Sequence, residues 1–245
     1  MLAILGGSGL SRFSTLEDTT RISARTAFGE PSGLLTLGRI GGREVIFLAR
    51  HGDAHSIPPH EVNYRANIRA LKDAGATRIA SVATVGGIRR EFGPGALIVP
   101  DQIIDYTWGR ASTFFQGPGA KVTHIDFTEP YTAALRRAIL EAAKTCGEAI
   151  ADGGCYGTTQ GPRLETAAEI SRMERDGADL VGMTGMPEAA LAREAGLEYA
   201  AIAVVANHAA GKGDSAHAIS LAAIEAVVEQ AMQRVRRILE RLAAS

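Results

Sequence analysis

The sequence predicts an α/β fold, a mixed central β-sheet flanked by helices. Three observations carry this: short apolar runs rich in branched residues recur along the chain, segments of helical periodicity lie between them, and glycines cluster where the apolar runs end. Continuous apolar runs of this kind read as strands buried on both faces, as in a parallel or mixed sheet. Helices alternating with such strands cover those faces.

Taken in order, Met1–Leu5 is the first expected strand and breaks at Gly6-Gly7-Ser8-Gly9. Glu44–Ala49 follows and ends in Arg50-His51-Gly52, then Ile79–Thr84 runs towards Gly86-Gly87. Ala96–Pro100 is a short strand, and Tyr199–Ala206 leads into Asn207-His208-Ala209. Helices are expected over Glu61–Ala74, Tyr131–Cys146, Glu165–Asp176, Pro187–Ala195 and Ser220–Leu242. The last places Ile224, Val227, Val228, Met232, Val235 and Ile238 on one face. Gly109–Ala120, with its Phe114-Phe115 and Gly117-Pro118-Gly119, reads as the long loop.

Composition narrows the function classes. The chain has 245 residues, 46% hydrophobic, enough for a core without staples. No repeat or linker divides it, so a single domain over 1–245 is expected. Two cysteines, Cys146 and Cys155, are too few for a disulfide framework and point to a reducing cytoplasm. No apolar run approaches the roughly 20 residues of a membrane span, and no charged leader precedes the first strand. A net charge of −1 argues against nucleic acid as a partner. The 28 glycines, about 11% against a usual ~7%, sit at strand ends, where open α/β sheets bind ligands.

Several of those ends carry chemistry suited to a small anion. The Gly6-Gly7-Ser8-Gly9 turn lets backbone amides approach phosphate while Ser8 offers a hydroxyl, although an ordinary tight turn would look the same. No glycine sits three residues after Gly9, so it is not a dinucleotide fingerprint, and Gly211-Lys212-Gly213 lacks the Ser or Thr of a Walker loop. Arg50 supplies a planar fork for phosphate oxygens, with His51 beside it. Thr84 and Thr184 place hydroxyls at strand-to-helix transitions, the second just before a helix N-terminus; a plain N-cap would use Thr184 equally well. A metal site built on His51, His55, His60 and Asp53 is disfavoured by Ser56-Ile57-Pro58-Pro59, which stops His51 and His55 from sharing a helix face. No Gly-x-Ser-x-Gly elbow supports a covalent hydrolase.

Taken together, Ile4–Leu10, Arg50-His51-Gly52, Pro59–Asn67, Gly86–Gly95, Gly161-Pro162-Arg163 with Glu165-Thr166, and Gly182–Glu188 resemble the trimeric purine nucleoside phosphorylase and methylthioadenosine phosphorylase family, in order over nearly the whole chain. The resemblance implies the nucleoside phosphorylase fold, a homotrimer, inorganic phosphate as cosubstrate, and no metal or organic cofactor. By position, Ser8, Arg50, His51, Ala83, Thr84 and Thr184 match the phosphate site; Ala83 stands where the methylthioadenosine enzymes carry a hydroxyl. Met183 matches the residue under the ribose and Leu164 an aromatic that stacks on the base. His124 matches a histidine supplied by the neighbouring subunit.

Three positions bear on the nucleoside. In adenine-selective relatives the segment Asn207-His208-Ala209 resembles Asp-x-Asp. Asn207 can donate to a 6-keto oxygen and accept from N7–H, while Ala209 removes the second acceptor. Glu165 matches the glutamate of 6-oxopurine phosphorylases that accepts from N1–H, although a first-turn helix glutamate would read alike. Leu221 matches the position where ordinary purine nucleoside phosphorylases place a histidine for the 5′-hydroxyl and methylthio-specific enzymes an aliphatic residue; a helix-core leucine is the alternative. The expected substrate is 5′-methylthioinosine. A general 6-oxopurine nucleoside phosphorylase, a methylthioadenosine phosphorylase of relaxed base choice and a non-catalytic nucleoside-binding protein stand as alternatives.

Overall fold

The structure is a computed structural model describing residues 1–10 and 13–245, with the side chains of residues 221 and 223 outside that description. The chain first forms β1 (Leu2–Gly6), β2 (Glu17–Ile22), β3 (Leu35–Ile40), β4 (Arg43–Ala49) and α1 (Tyr64–Asp73). It continues through β5 (Arg78–Gly87), β6 (Leu97–Val99), β7 (Gln102–Asp105), α2 (Ala133–Thr145), β8 (Ala151–Asp152), β9 (Cys155–Thr158) and α3 (Ala167–Arg175). Then come β10 (Leu180–Gly182), α4 (Gly185–Glu194), β11 (Glu198–His208), a short 3-10 turn and α5 (Leu221–Ala244). The strands join in one mixed sheet, as expected.

Alternation along the central strands sets the layers. Leu2 and Ile4 of β1 pack with Leu135 and Ile139 of α2 and with Val235, Ile238 and Leu239 of α5. Ala3 and Leu5 face the opposite side, against Ile68 and Leu71 of α1 and Ala189 and Leu191 of α4. Each large aliphatic side chain buried this way contributes about 1.5–3 kcal/mol.

The centre of the sheet divides at β5. β11 runs parallel to β5 along one edge, from Arg78 to Gly87. On the other edge β1 pairs with Arg78–Ser81 and β10 with Gly86 and Gly87. Among the described residues, 82–85 have no strand partner on that edge, so the sheet forks. Buried backbone groups left unpaired there must find other partners.

Several element boundaries depart from the periodicity for local reasons. The helix expected from Glu61 begins at Tyr64 because Asn63 caps it, Oδ1 accepting from Ala66 N at 3.1 Å. The helix expected from Glu165 begins at Ala167, where Thr166 and Glu169 form a reciprocal capping box. The expected strands at β1, β4, β5, β6 and β11 are present, and Gly109–Ala120 carries no helix or strand. Strands β2 and β3 were not expected, because the Glu-Asp-Thr-Thr-Arg stretch of β2 is exposed and Thr36, Gly38 and Arg39 interrupt the apolar residues of β3; β7, β8, β9 and β10 are only two to four residues long.

Candidate active site

A cavity of about 710 Å³ opens at the fork, within the roughly 300–1,000 Å³ of small-molecule sites. Ser8, Arg50, His51, Ala83, Thr84 and Thr184 all line it, and so do Leu164, Glu165, Met183, Asn207 and Ala209. Strand ends far apart in sequence deliver them: the turn after β1, the end of β4, the unpaired stretch of β5, the turn after β10 and the end of β11.

On the anion side, Gly7 lets the chain pass closely over the fork. A Cβ there would lie 2.4 Å from Val82 O and 2.9 Å from Arg50 Nη1, so no larger residue fits without displacement. Thr84 Oγ1 donates to Ser8 O at 3.1 Å and ties the glycine turn to β5. Ser8 Oγ lies 3.4 Å from His55 Nε2.

Arg50 is fully buried. Its Nε and Nη2 donate to Glu188 Oε2 and Oε1 at 2.6 and 2.9 Å, Nη2 also to Ser81 Oγ at 2.7 Å, and Nη1 to Val82 O at 2.9 Å. The last bond satisfies a carbonyl in the gap of the fork. Ser81 Oγ and Tyr199 Oη donate in turn to Glu188 Oε1. The planar fork expected to face phosphate is therefore turned on Glu188, and of the five N–H groups of a guanidinium one on Nη1 is left for a ligand. Burial works against the charge on Arg50, but the Glu188 carboxylate more than reverses this and holds its pKa above the ordinary value.

His51 is buried, and its Nδ1 lies 2.8 Å from Ile57 O. A carbonyl only accepts, so Nδ1 carries the proton and Nε2 is the ring's acceptor. Burial, reinforced by the Arg50 charge, lowers the His51 pKa to about 4, so the ring is neutral at pH 7. Thr184 is the N-cap residue of α4, but its side chain makes no capping bond. Met186 is non-helical, so the regular helix starts only at Pro187, beyond a cis Met186–Pro187 bond.

At the end of β11, Asn207 Nδ2 donates to His208 O at 2.5 Å, leaving its second N–H and Oδ1 available. Glu165 lies before the capping residue of α3, and the first-turn acid is Glu169. Thr159 Oγ1 donates to Glu165 Oε1 at 2.6 Å. Met183 packs so closely on Gly161 that a Cβ there would meet its sulfur at 2.4 Å. Leu164 is 43% exposed while lining the cavity, an apolar platform open to a ligand.

Two expected residues lie elsewhere. His208 does not line the cavity: strand alternation turns it towards Gly93 and the Gly213-Asp214 turn. His124 is exposed and outside the cavity of its own chain. The side chain of Leu221 lies outside the described residues. Conversely, His55, Ile57, Pro58, Pro59, Ile219 and Ile224 line the cavity without having been expected to. In the sequence His55 figures only in the disfavoured metal cluster; its position between Gly52 and the Pro58-Pro59 pair at a strand end is the signal that could have found it. Among the described residues, no group of three or more His, Cys, Asp or Glu is arranged to hold a metal ion.

Comparison with known proteins places this geometry. A protein of Xanthomonas campestris pv. campestris named "Probable S-methyl-5'-thioinosine phosphorylase" is 54% identical over 242 residues, covering 99% of this chain and 96% of that protein. The "6-oxopurine nucleoside phosphorylase" of Pyrococcus furiosus is 46% identical over 215 residues, 86% of this chain and 80% of that protein. Among solved structures, methylthioadenosine phosphorylase from Schistosoma mansoni in complex with adenine superposes with a TM-score of 0.94 at 33% identity, covering 99% of this chain and 90% of that one. The phosphorylase superfamily model matches residues 1–244. The chain belongs to the phosphorylase superfamily.

Proposed function

We propose that the protein catalyses reversible phosphorolysis of 5′-methylthioinosine, giving hypoxanthine and 5-methylthioribose 1-phosphate. The observation that carries this is a single cavity that brings Ser8, Arg50, His51, Thr84 and Thr184 together with Asn207 and Glu165. The relatives named for S-methyl-5′-thioinosine and 6-oxopurine nucleosides support the same base class. Ile219 and Ile224 add apolar surface near the start of α5, the element that begins with Leu221.

In the proposed reaction the C1′–N9 bond loosens towards an oxocarbenium-like state, a phosphate oxygen forms the new bond to C1′, and the bonding pair leaves with the base. The hydroxyl of HPO₄²⁻ donates to the neutral His51 Nε2, while its bare oxygens accept from Arg50 Nη1 and from the Ser8 and Thr184 hydroxyls; the Thr84 hydroxyl, which donates to Ser8 O, holds the turn in place. The proton that HPO₄²⁻ gives up on becoming the ester passes through solvent to N7 of the departing base, so the base leaves as neutral hypoxanthine; Asn207 Oδ1 accepts from the N7–H so formed and its free N–H donates to O6. Glu165 accepts from N1–H. Positioning and electrostatic stabilisation supply the acceleration, without a side-chain nucleophile. In the working enzyme the chain is a single domain in a cytoplasmic homotrimer, with His124 reaching a neighbour's site.

A second reading, a general phosphorylase of inosine and guanosine, is favoured by the likeness to the Pyrococcus furiosus protein. Competition among methylthioinosine, methylthioadenosine, inosine and guanosine, with and without phosphate, decides between them. Phosphate-dependent release of hypoxanthine chiefly from methylthioinosine is expected; equal use of inosine would sustain the second reading. Binding without base release would remove both.

A further inference from the structure

We propose that Arg110 is a positioning residue that locks the base-reading and ribose-carrying segments of the cavity together, and through them sets nucleoside affinity and base choice. This rests on the function proposed above. Arg110 comes from the irregular segment after β7, yet its guanidinium reaches behind the cavity wall. Nη1 donates to Met183 O at 2.8 Å and Met186 O at 2.6 Å. Nη2 donates to Gln160 O at 2.8 Å and Thr159 O at 3.2 Å, and Nε to Gln160 Oε1 at 3.2 Å. The guanidinium carbon also lies 5.3 Å from the centre of the Tyr64 ring, with Nη1 3.2 Å from Tyr64 Oη, which donates to Pro59 O.

These acceptors belong to the segments that bring the ligand groups into place. Pairing of β9 with β10 ends at Thr158 and Gly182, followed by one bond from Thr159 N to Gly182 O. Past that point the two chains diverge. One leads through Gly161-Pro162 to Leu164 and Glu165; the other carries Met183 and Thr184. Arg110 bridges them, and through Tyr64 it reaches the Pro59 wall as well. Every acceptor is neutral, so the guanidinium serves as a five-donor template for carbonyls, a geometry that the three-donor ammonium of lysine cannot reproduce.

The test uses the full-length protein with Arg110→Lys and Arg110→Ala, measuring hypoxanthine and adenine binding by calorimetry alongside phosphorolysis. For a displaced substrate-positioning wall the loss in kcat/KM for methylthioinosine is expected to reach about 100-fold. In the lysine variant, hypoxanthine affinity and its margin over adenine should fall together while the fold persists by circular dichroism. Low-millimolar guanidinium, but not sodium chloride at equal ionic strength, should restore part of the activity of the alanine variant. If that variant does not fold, the lysine variant carries the test alone. Lower melting temperature or kcat with unchanged KM, base affinity and base preference would show a structural role only and overturn the proposal. Wild-type protein that binds hypoxanthine but turns over no nucleoside would defeat the functional reading, and base affinity in the variants would still judge Arg110.

Discussion

Glu188 holds Arg50 through two parallel hydrogen bonds, Nε to Oε2 at 2.6 Å and Nη2 to Oε1 at 2.9 Å, with both side chains sealed from solvent. The pair is formally neutral and His51 is uncharged at pH 7. The proposed phosphate site therefore offers directed N–H and O–H donors instead of net positive charge.

Removing one member of a buried ion pair leaves the other uncompensated, at a cost of about 3–5 kcal/mol. Glu188→Gln is expected to lower stability by that order in urea titrations and to raise KM for phosphate more than KM for nucleoside, because Arg50 loses its fixed orientation. An unchanged phosphate KM would mean that Arg50 needs no anchor to bind the anion.

Stability should depend on His51 in a defined pH window. Its folded pKa is about 4 against 6.5 for the ordinary side chain, so between these values the unfolded chain binds more protons than the folded one. Stability is then lost as pH falls from about 6.5 to about 4 and is unaffected by this group above that range. Melting temperatures across this range, compared between wild type and His51→Gln, should show a shallower acid decline in the variant. Parallel curves would remove the histidine from the account.

At the base end, Asn207→Asp exchanges a donor for an acceptor. Preference should move towards methylthioadenosine, by about tenfold or more given roughly 1–3 kcal/mol for an unmatched polar group. The carboxylate would also face His208 O, which now accepts from Asn207 Nδ2, so some stability should be lost as well. Equal loss on both purines, read from kcat/KM, would contradict the role.

Leu221→His, at the first residue of α5, should improve the use of inosine relative to methylthioinosine by supplying a partner for a 5′-hydroxyl. Steady-state rates on the two nucleosides test this; no gain on inosine would count against Leu221 as the reader of the 5′ group.

Much of the fold was legible because its strands are buried on both faces and announce themselves as apolar runs, as β1 and β11 do. The phosphate-side residues were legible because they sit where those runs end. Glu188 as the partner of Arg50 was not, since the two lie 138 positions apart and only the tertiary fold brings them together. Arg110 was hidden in a segment with no periodicity at all. His208 is a different case: alternation along β11 already separates it from Asn207 and Ala209, and reading three consecutive residues as one site overlooked that. Glu165 shows the value of capping chemistry, for Thr166 and Glu169 would be meaningless as a box had the helix begun one residue earlier.

The fork at β5 has a consequence for how the protein can change. Ser8, Arg50 and His51 follow β1 and β4, whereas Met183 and Thr184 follow β10, which pairs with β5 further along, and Leu164 and Glu165 follow β9, which pairs with β10. The two arms are tied across the gap, because Glu188 in α4, just past β10, holds Arg50, and Thr184 beside Met183 belongs to the anion side; substitutions at sites joined in this way do not simply add. Change is therefore freest where that tie is spared: the side chains of Leu164 and Glu165, on the segment after β9, can be exchanged to suit new bases while the Arg50–Glu188 link and Thr184 stay as they are, so one inherited reaction can be fitted to many leaving groups.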